Sequence, residues 1–181
     1  MNKKGELAKQ ILLALSAGFI VTTAIVLPGS AKMFKPLIKK FKTNKRNFVK
    51  SLKAMKRDRV IDFKEDGNFS NIVITEKGKA KLLRYNLDDM KIKKPKKWDK
   101  IWRVVTFDIP EKKKASRNAL RSKLKELGFS QLHKSVFVYP YPCLDEIQFI
   151  EEIFNVDQYI NFIEAKTIDN DEWLREKFDL I

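Results

Sequence analysis

The stretch from Trp102 to Tyr139 constrains the fold more than any other, because it reads as one unit. Trp102 to Ile109 (WRVVTFDI) has the β-branched and aromatic make-up of a strand, and Pro110 closes it. Asp108 stands at its end. A carboxylate is costly to bury unpaired, so Asp108 belongs at the strand's exposed C-terminal edge, where it can bind a cation, cap a helix or accept a hydrogen bond. Lys112 to Leu127 then carries Ala119, Leu120, Leu124 and Leu127 at helical spacing, and Gly128 stops that helix as a C′ glycine does. Phe129–Leu132 and Ser135–Tyr139 follow as two short strands.

Pro140 and Pro142 turn the chain into a helix from Leu144 to Phe154, with Ile147, Ile150, Ile153 and Phe154 inward. Tyr159 to Lys166 is a fourth strand and Glu172 to Phe178 a tail helix. The sum is βαββαβ, the ferredoxin-like plan. Two helices cover one face of such a sheet and leave the other face, or an edge, for a twofold partner.

Charge divides the chain. Residues 1–97 hold 25 Lys/Arg against 8 Asp/Glu, a net of +17, whereas residues 98–181 hold 13 against 15, a net of −2. A half that basic seeks a polyanion, nucleic acid before an anionic membrane. One cysteine, Cys143, excludes an internal disulfide and fits a reducing cytoplasm; one histidine, His133, excludes a multi-histidine metal centre.

Ile11 to Leu27 contains no charged residue and has two readings. It is at the lower limit of length for a membrane span, diluted by Ser16, Gly18, Thr22 and Thr23. Alternatively, a buried helix from Glu6 to Ala17 leads into an apolar connection ending at Pro28-Gly29. Ser30 is a candidate N-cap for a helix from Ala31 to Phe41, with Pro36 moving its start or bending it. Thr43 or Asn44 caps the next helix, Lys45 to Arg57, whose buried stripe is Phe48, Leu52 and Met55. Its other side carries Lys45, Arg46, Asn47, Lys50, Ser51, Lys53, Ala54 and Arg57, long donors separated by small residues, as a helix needs to approach a groove and its phosphates. Two strands, Arg59–Phe63 and Phe69–Ile74, flank an Asp66-Gly67 turn. Thr75 caps a last helix from Glu76 to about Tyr85 that packs through Ala80, Leu82 and Leu83. Helix, helix, basic helix, hairpin, helix is the winged-helix order, a helix-turn-helix variant. The hairpin tip is acidic (Glu65, Asp66), so phosphate contact there falls to Lys64 and Asn68.

The expected class is therefore α+β: a winged helix-turn-helix over residues 1–87, a basic linker over 88–98 and a ferredoxin-like dimerisation domain over 99–181. The linker holds Lys91, Lys93, Lys94, Lys96 and Lys97 around Pro95 and is polar and self-repelling.

The order Phe107-Asp108-Ile109, basic helix, Leu127-Gly128-Phe129, Gln131, then Ser135-Val136-Phe137 resembles the small ferredoxin-like CRISPR-associated endonuclease of the spacer-acquisition machinery. The wider frame resembles the PaaX family of phenylacetate-degradation repressors, in which such a domain follows a winged helix. The PaaX resemblance implies that Ile11 to Leu27 opens as a buried helix, with no membrane insertion. It implies a cytoplasmic, homodimeric repressor that binds double-stranded DNA and uses no cofactor. Repressors of that family carry a further C-terminal domain; this chain ends soon after the ferredoxin-like unit, so the resemblance does not carry over a small-molecule effector response, and whether an effector is bound stays open. The endonuclease resemblance implies the alternative, in which Asp108 is catalytic: two copies, one from each subunit, hold Mg2+ for phosphodiester cleavage, in a nuclease or a spacer-acquisition subunit. Against it stands a structural role for Asp108, capping the helix that begins near Lys112, and this is the preferred reading. Lys113, Arg117, Arg121 and Lys125, four residues apart, either bind phosphate or keep the surface soluble.

Overall fold

The computed structural model describes residues 3–17, 22–23, 35–66 and 69–180, and the chain divides into two units, Met1–Asp88 and Asp89–Ile181. The first unit runs α1 (Lys3–Ser16), β1 (Thr22–Thr23), α2 (Lys35–Lys40), α3 (Lys45–Arg57), β2 (Ile61–Asp66), β3 (Phe69–Ile74) and α4 (Glu76–Asp89). Its three strands form an antiparallel sheet in the order β1-β3-β2. β1 lies in what the sequence presents as an apolar connection. Two threonines are too few to carry a pattern, and β1 exists as a strand only by pairing Thr22 with Asn71 and Thr23 with Ser70.

Local chemistry sets the helix ends. α2 begins at Lys35, which puts Pro36 in the first turn, where its missing N–H costs nothing. The candidate cap Ser30 lies outside the described residues. The Asn44 side-chain oxygen accepts the Asn47 N–H at 2.8 Å and starts α3. Thr75 does two jobs: its hydroxyl accepts the Gly78 N–H at 3.0 Å, capping α4, and donates to the Arg59 carbonyl at 2.6 Å. α4 continues to Asp89, past the Tyr85 expected and into the expected linker, because neither glycine nor proline interrupts the chain between Gly78 and Pro95.

Ile11 and Leu12 of α1, Phe48, Leu52 and Met55 of α3, and Val60, Ile61 and Ile72 form the core of this unit. Each such side chain contributes about 1.5–3 kcal/mol on leaving water. α4 does not pack as its sequence suggests. Of the three expected packing residues only Leu82 meets the core, joined by Tyr85, while Ala80 is exposed and Leu83 is 39% exposed. Gly78 sets this rotation, since a Cβ there would lie 2.0 Å from the Val60 carbonyl oxygen. Among the described residues no helix is long and apolar enough to cross a membrane.

The second unit runs β4 (Trp102–Phe107), a 3-10 turn (Glu111–Lys113), α5 (Lys114–Glu126), β5 (Ser130–His133), β6 (Val136–Tyr139), α6 (Leu144–Phe154), a second 3-10 turn (Asp157–Tyr159), β7 (Ile160–Ala165) and α7 (Glu172–Lys177). Its sheet is antiparallel throughout, ordered β5-β6-β4-β7, so the unit's first strand in sequence lies inside and its last lies at an edge. Gly128, at φ 94°, ends α5: its N–H bonds the Lys125 carbonyl at 3.0 Å and the Phe129 N–H bonds that of Leu124 at 3.0 Å. That is the paired signature of a left-handed C-terminus.

Both faces of β4 are loaded. Val105 and Phe107 point one way, with Phe107 stacked 6.0 Å from Phe137 and covered by Arg121 of α5. Trp102 points the other way, into a cluster with Val138 and Leu174 of α7, edged by Trp98 and Phe178. The indole N–H of Trp102 donates to the buried Asp171 at 2.9 Å, and Arg175 brackets the same carboxylate at 2.9 and 3.0 Å. The second sheet face is therefore not free, as the sequence suggests, but covered at its Trp102 end by the tail helix. Ile163 on β7, on that same face, is 46% exposed.

Candidate nucleic-acid interface

The buried stripe of Phe48, Leu52 and Met55 decides which way α3 presents its charges. With about 3.6 residues per turn, the side opposite that stripe carries Arg46, Lys50, Lys53 and Arg57, and all four are exposed. Lys45 and Asn47 flank them in the open, while Ser51 and Ala54 are half-buried. Lys45, Arg46, Lys50 and Lys53 meet around an open hollow of ≈ 650 Å³, with Val49 as the one apolar residue lining it among the described residues.

Six of the thirteen residues of α3 are Lys or Arg and none is acidic. Lys45 and Arg46 stand in the first turn, at the positive end of the helix dipole, where a cation is disfavoured by about 0.3–1 kcal/mol. Nothing within the helix offsets that. An anion held over the first turn would. Arg57 touches Asp58 at 3.1 Å, but both side chains are well exposed, and such a pair neither adds much stability nor withdraws Arg57 from other anions. Lys56 instead lies 4.7 Å over the Phe63 ring, away from the row. Lys64 is exposed on β2 opposite Asn71 and does not line the hollow; Asn68 lies outside the described residues.

Asp108 sits past the end of β4, exposed, with its N–H bonded to the Tyr159 carbonyl at 3.0 Å. It is not a helix cap. The residue before the 3-10 turn is Pro110 and the residue before α5 is Lys113, and neither position has a side-chain cap. The Lys113 N–H bonds the Pro110 carbonyl at 2.9 Å, so the turn closes by backbone alone and Asp108 falls too far upstream. Among the described residues no three His, Cys, Asp or Glu gather where they could hold a metal ion.

The row of Lys113, in the 3-10 turn, and Arg117, Arg121 and Lys125, on α5, is occupied with structure. Lys113 donates to the Asn155 carbonyl and lies 5.3 Å over Tyr159. Arg117 donates to the Ile109 carbonyl at 3.0 Å and to Glu111 at 2.7 Å; Arg117, and then Lys114, holds the Glu111 carboxyl below its ordinary range. Arg121 donates to the Lys134 carbonyl at 2.9 Å. Three of the four cations therefore tie loops to the helix. Sequence spacing places them on one face but cannot show that loop carbonyls converge on it.

Residues 95–175 match the profile of the PaaX protein central Cas2-like domain, which covers most of the second unit and none of the first. No curated protein matches the chain.

Proposed function

We propose that this chain is a DNA-binding transcriptional regulator of PaaX type, a repressor that works as a homodimer. In this reading residues 1–87 are a winged helix with α3 as its recognition helix, residues 88–98 a basic linker, and residues 99–181 a ferredoxin-like dimerisation domain. The helix order of the first unit and its β1-β3-β2 sheet support the winged helix. The strand order β5-β6-β4-β7 and the PaaX-type match support the ferredoxin-like assignment.

The observation that carries the proposal is the row Arg46, Lys50, Lys53 and Arg57: four exposed cations on a helix without an acidic residue. Arg46, Asn47 and Lys50 near the N-terminal half would reach base edges, with Ser51 beside them. Lys45, Lys53, Arg57, and Lys64 and Asn68 of the hairpin would take phosphates. The test is selection of bound sequences from random 30-base-pair duplexes by the full chain. Enrichment of a two-part site with half-sites about one helical turn apart is the expected result; no enrichment over input contradicts it.

Asp108 favours a second reading, because it is exposed at a strand end with no side-chain partner among the described residues. A nuclease would need the carboxylate of a second copy beside it. Incubation of the full chain with Mg2+ and single- or double-stranded DNA decides: cleavage that disappears in Asp108→Asn favours the nuclease, and intact substrate with both proteins favours the regulator.

A further inference from the structure

Five of the seven residues from Lys91 to Lys97 are lysines, and all five are exposed. The segment is neither helix nor strand, with a bend at Lys96 and Lys97. Its downstream end is held: the Trp98 indole N–H donates to the Ile101 carbonyl at 3.1 Å, and its ring lies 4.8 Å from that of Trp102 and under the Arg175 guanidinium. Ile92, Pro95 and Trp98 recur at every third residue, with a pair of lysines in each interval. Pro95 fixes its own φ and keeps Lys94 extended, and a chain of that kind turns once in about three residues. Ile92 and Trp98 are half-buried and the lysines between them exposed, so the apolar positions lean on the protein and the charged ones face out.

A spacer needs only to be polar, and uncharged residues serve. Five like charges at about 3 Å per residue stand within one another's screening length of about 8 Å and repel. The carboxylate that follows them, Asp99, is already bonded by Arg103 at 2.7 and 2.6 Å. A polyanion relieves that repulsion. Lysine is a point charge suited to phosphate, and the run has no guanidinium or carboxamide to fork onto a base edge. We infer that Lys91, Lys93, Lys94, Lys96 and Lys97 form a second DNA-binding element, one that takes backbone phosphates without regard to sequence. This rests on the DNA-binding reading above.

The test compares two variants of the full chain, each short of four positive charges. One changes Lys93, Lys94, Lys96 and Lys97 to Gln; the other changes Lys112, Lys125, Lys134 and Lys166, which are exposed in the second unit, to Gln. Affinity for the tightest selected duplex and for a scrambled one is measured across a range of salt. The first variant should flatten the slope of log affinity against log salt by about 2–4 per bound chain, at about 0.9 for each phosphate released. It should weaken both duplexes by the same factor, and the second variant should keep the wild-type slope. A first variant that binds like the wild type overturns the inference and leaves the regulator reading standing. Equal losses in the two variants overturn it as well, because the effect would then be one of net charge. Loss on the selected duplex alone overturns the phosphate assignment. Unchanged duplex binding with lost binding to phosphatidylserine-containing vesicles gives the segment to a membrane surface instead. A wild type that binds neither duplex removes both this inference and the regulator reading.

Discussion

At Gly78 a substitution that ordinarily stabilises should do the reverse. Gly→Ala inside a helix is usually favourable by about 1 kcal/mol. Here the added Cβ would stand 2.0 Å from the Val60 carbonyl oxygen and 2.7 Å from Ile74, forcing α4 away from the loop after α3. Gly78→Ala should therefore cost about 1–3 kcal/mol in denaturant unfolding, the range for overpacking. Unchanged or raised stability would show that α4 is not seated there. Asp108 gives the opposite kind of residue. It is exposed and caps nothing, so Asp108→Asn should shift stability by less than about 0.5 kcal/mol. Chemical denaturation of the two proteins checks this, and a larger loss would mean that the carboxylate has a structural partner after all.

Elements whose identity depends on their own residues were readable, and those that depend on neighbours were not. Leu144–Phe154 is both the expected helix and the observed one, and Asn44, Thr75 and Gly128 act as the caps and stop that their chemistry predicts. β1 escapes because it is made by its partner strand, and the rotation of α4 escapes because a glycine leaves no apolar mark. The tail helix α7 looks like an appendage in sequence, yet it seals Trp102 through Leu174 and Asp171. Arg175, with the Trp102 indole, holds the Asp171 carboxyl below its ordinary value of 3.8, and Arg103 does the same for Asp99. A depressed folded-state value means stability that is complete above the unfolded value and lost as the pH falls through the folded one. All three tryptophans, Trp98, Trp102 and Trp173, lie in the second unit, so their fluorescence follows its acid unfolding alone. The transition should fall below about pH 4, and Asp171→Asn should blunt it; a transition unmoved by that variant would contradict the role given to α7.

At the scale of the whole molecule, charge is divided along the chain. Residues 1–97 carry a net of +17 and residues 98–181 a net of −2, so the part of the second unit that follows the lysine-rich segment lacks the attraction DNA needs, and assembly is the task proposed for it. The sheet face beyond the reach of α7 exposes Ile163, so the full chain should sediment as a dimer and Ile163→Glu as a monomer. A monomeric wild type at micromolar concentration would count against the twofold arrangement. The most direct measurement of the central claim is the salt dependence of duplex binding by the full chain. Each phosphate neutralised by a cation contributes about −0.9 to the slope of log affinity against log salt. Lys53→Ala with Arg57→Ala should therefore flatten the slope by roughly 2 for each recognition helix engaged, weakening all sequences alike. A slope and affinity equal to the wild type's would mean that the exposed face of α3 is not where this protein meets DNA.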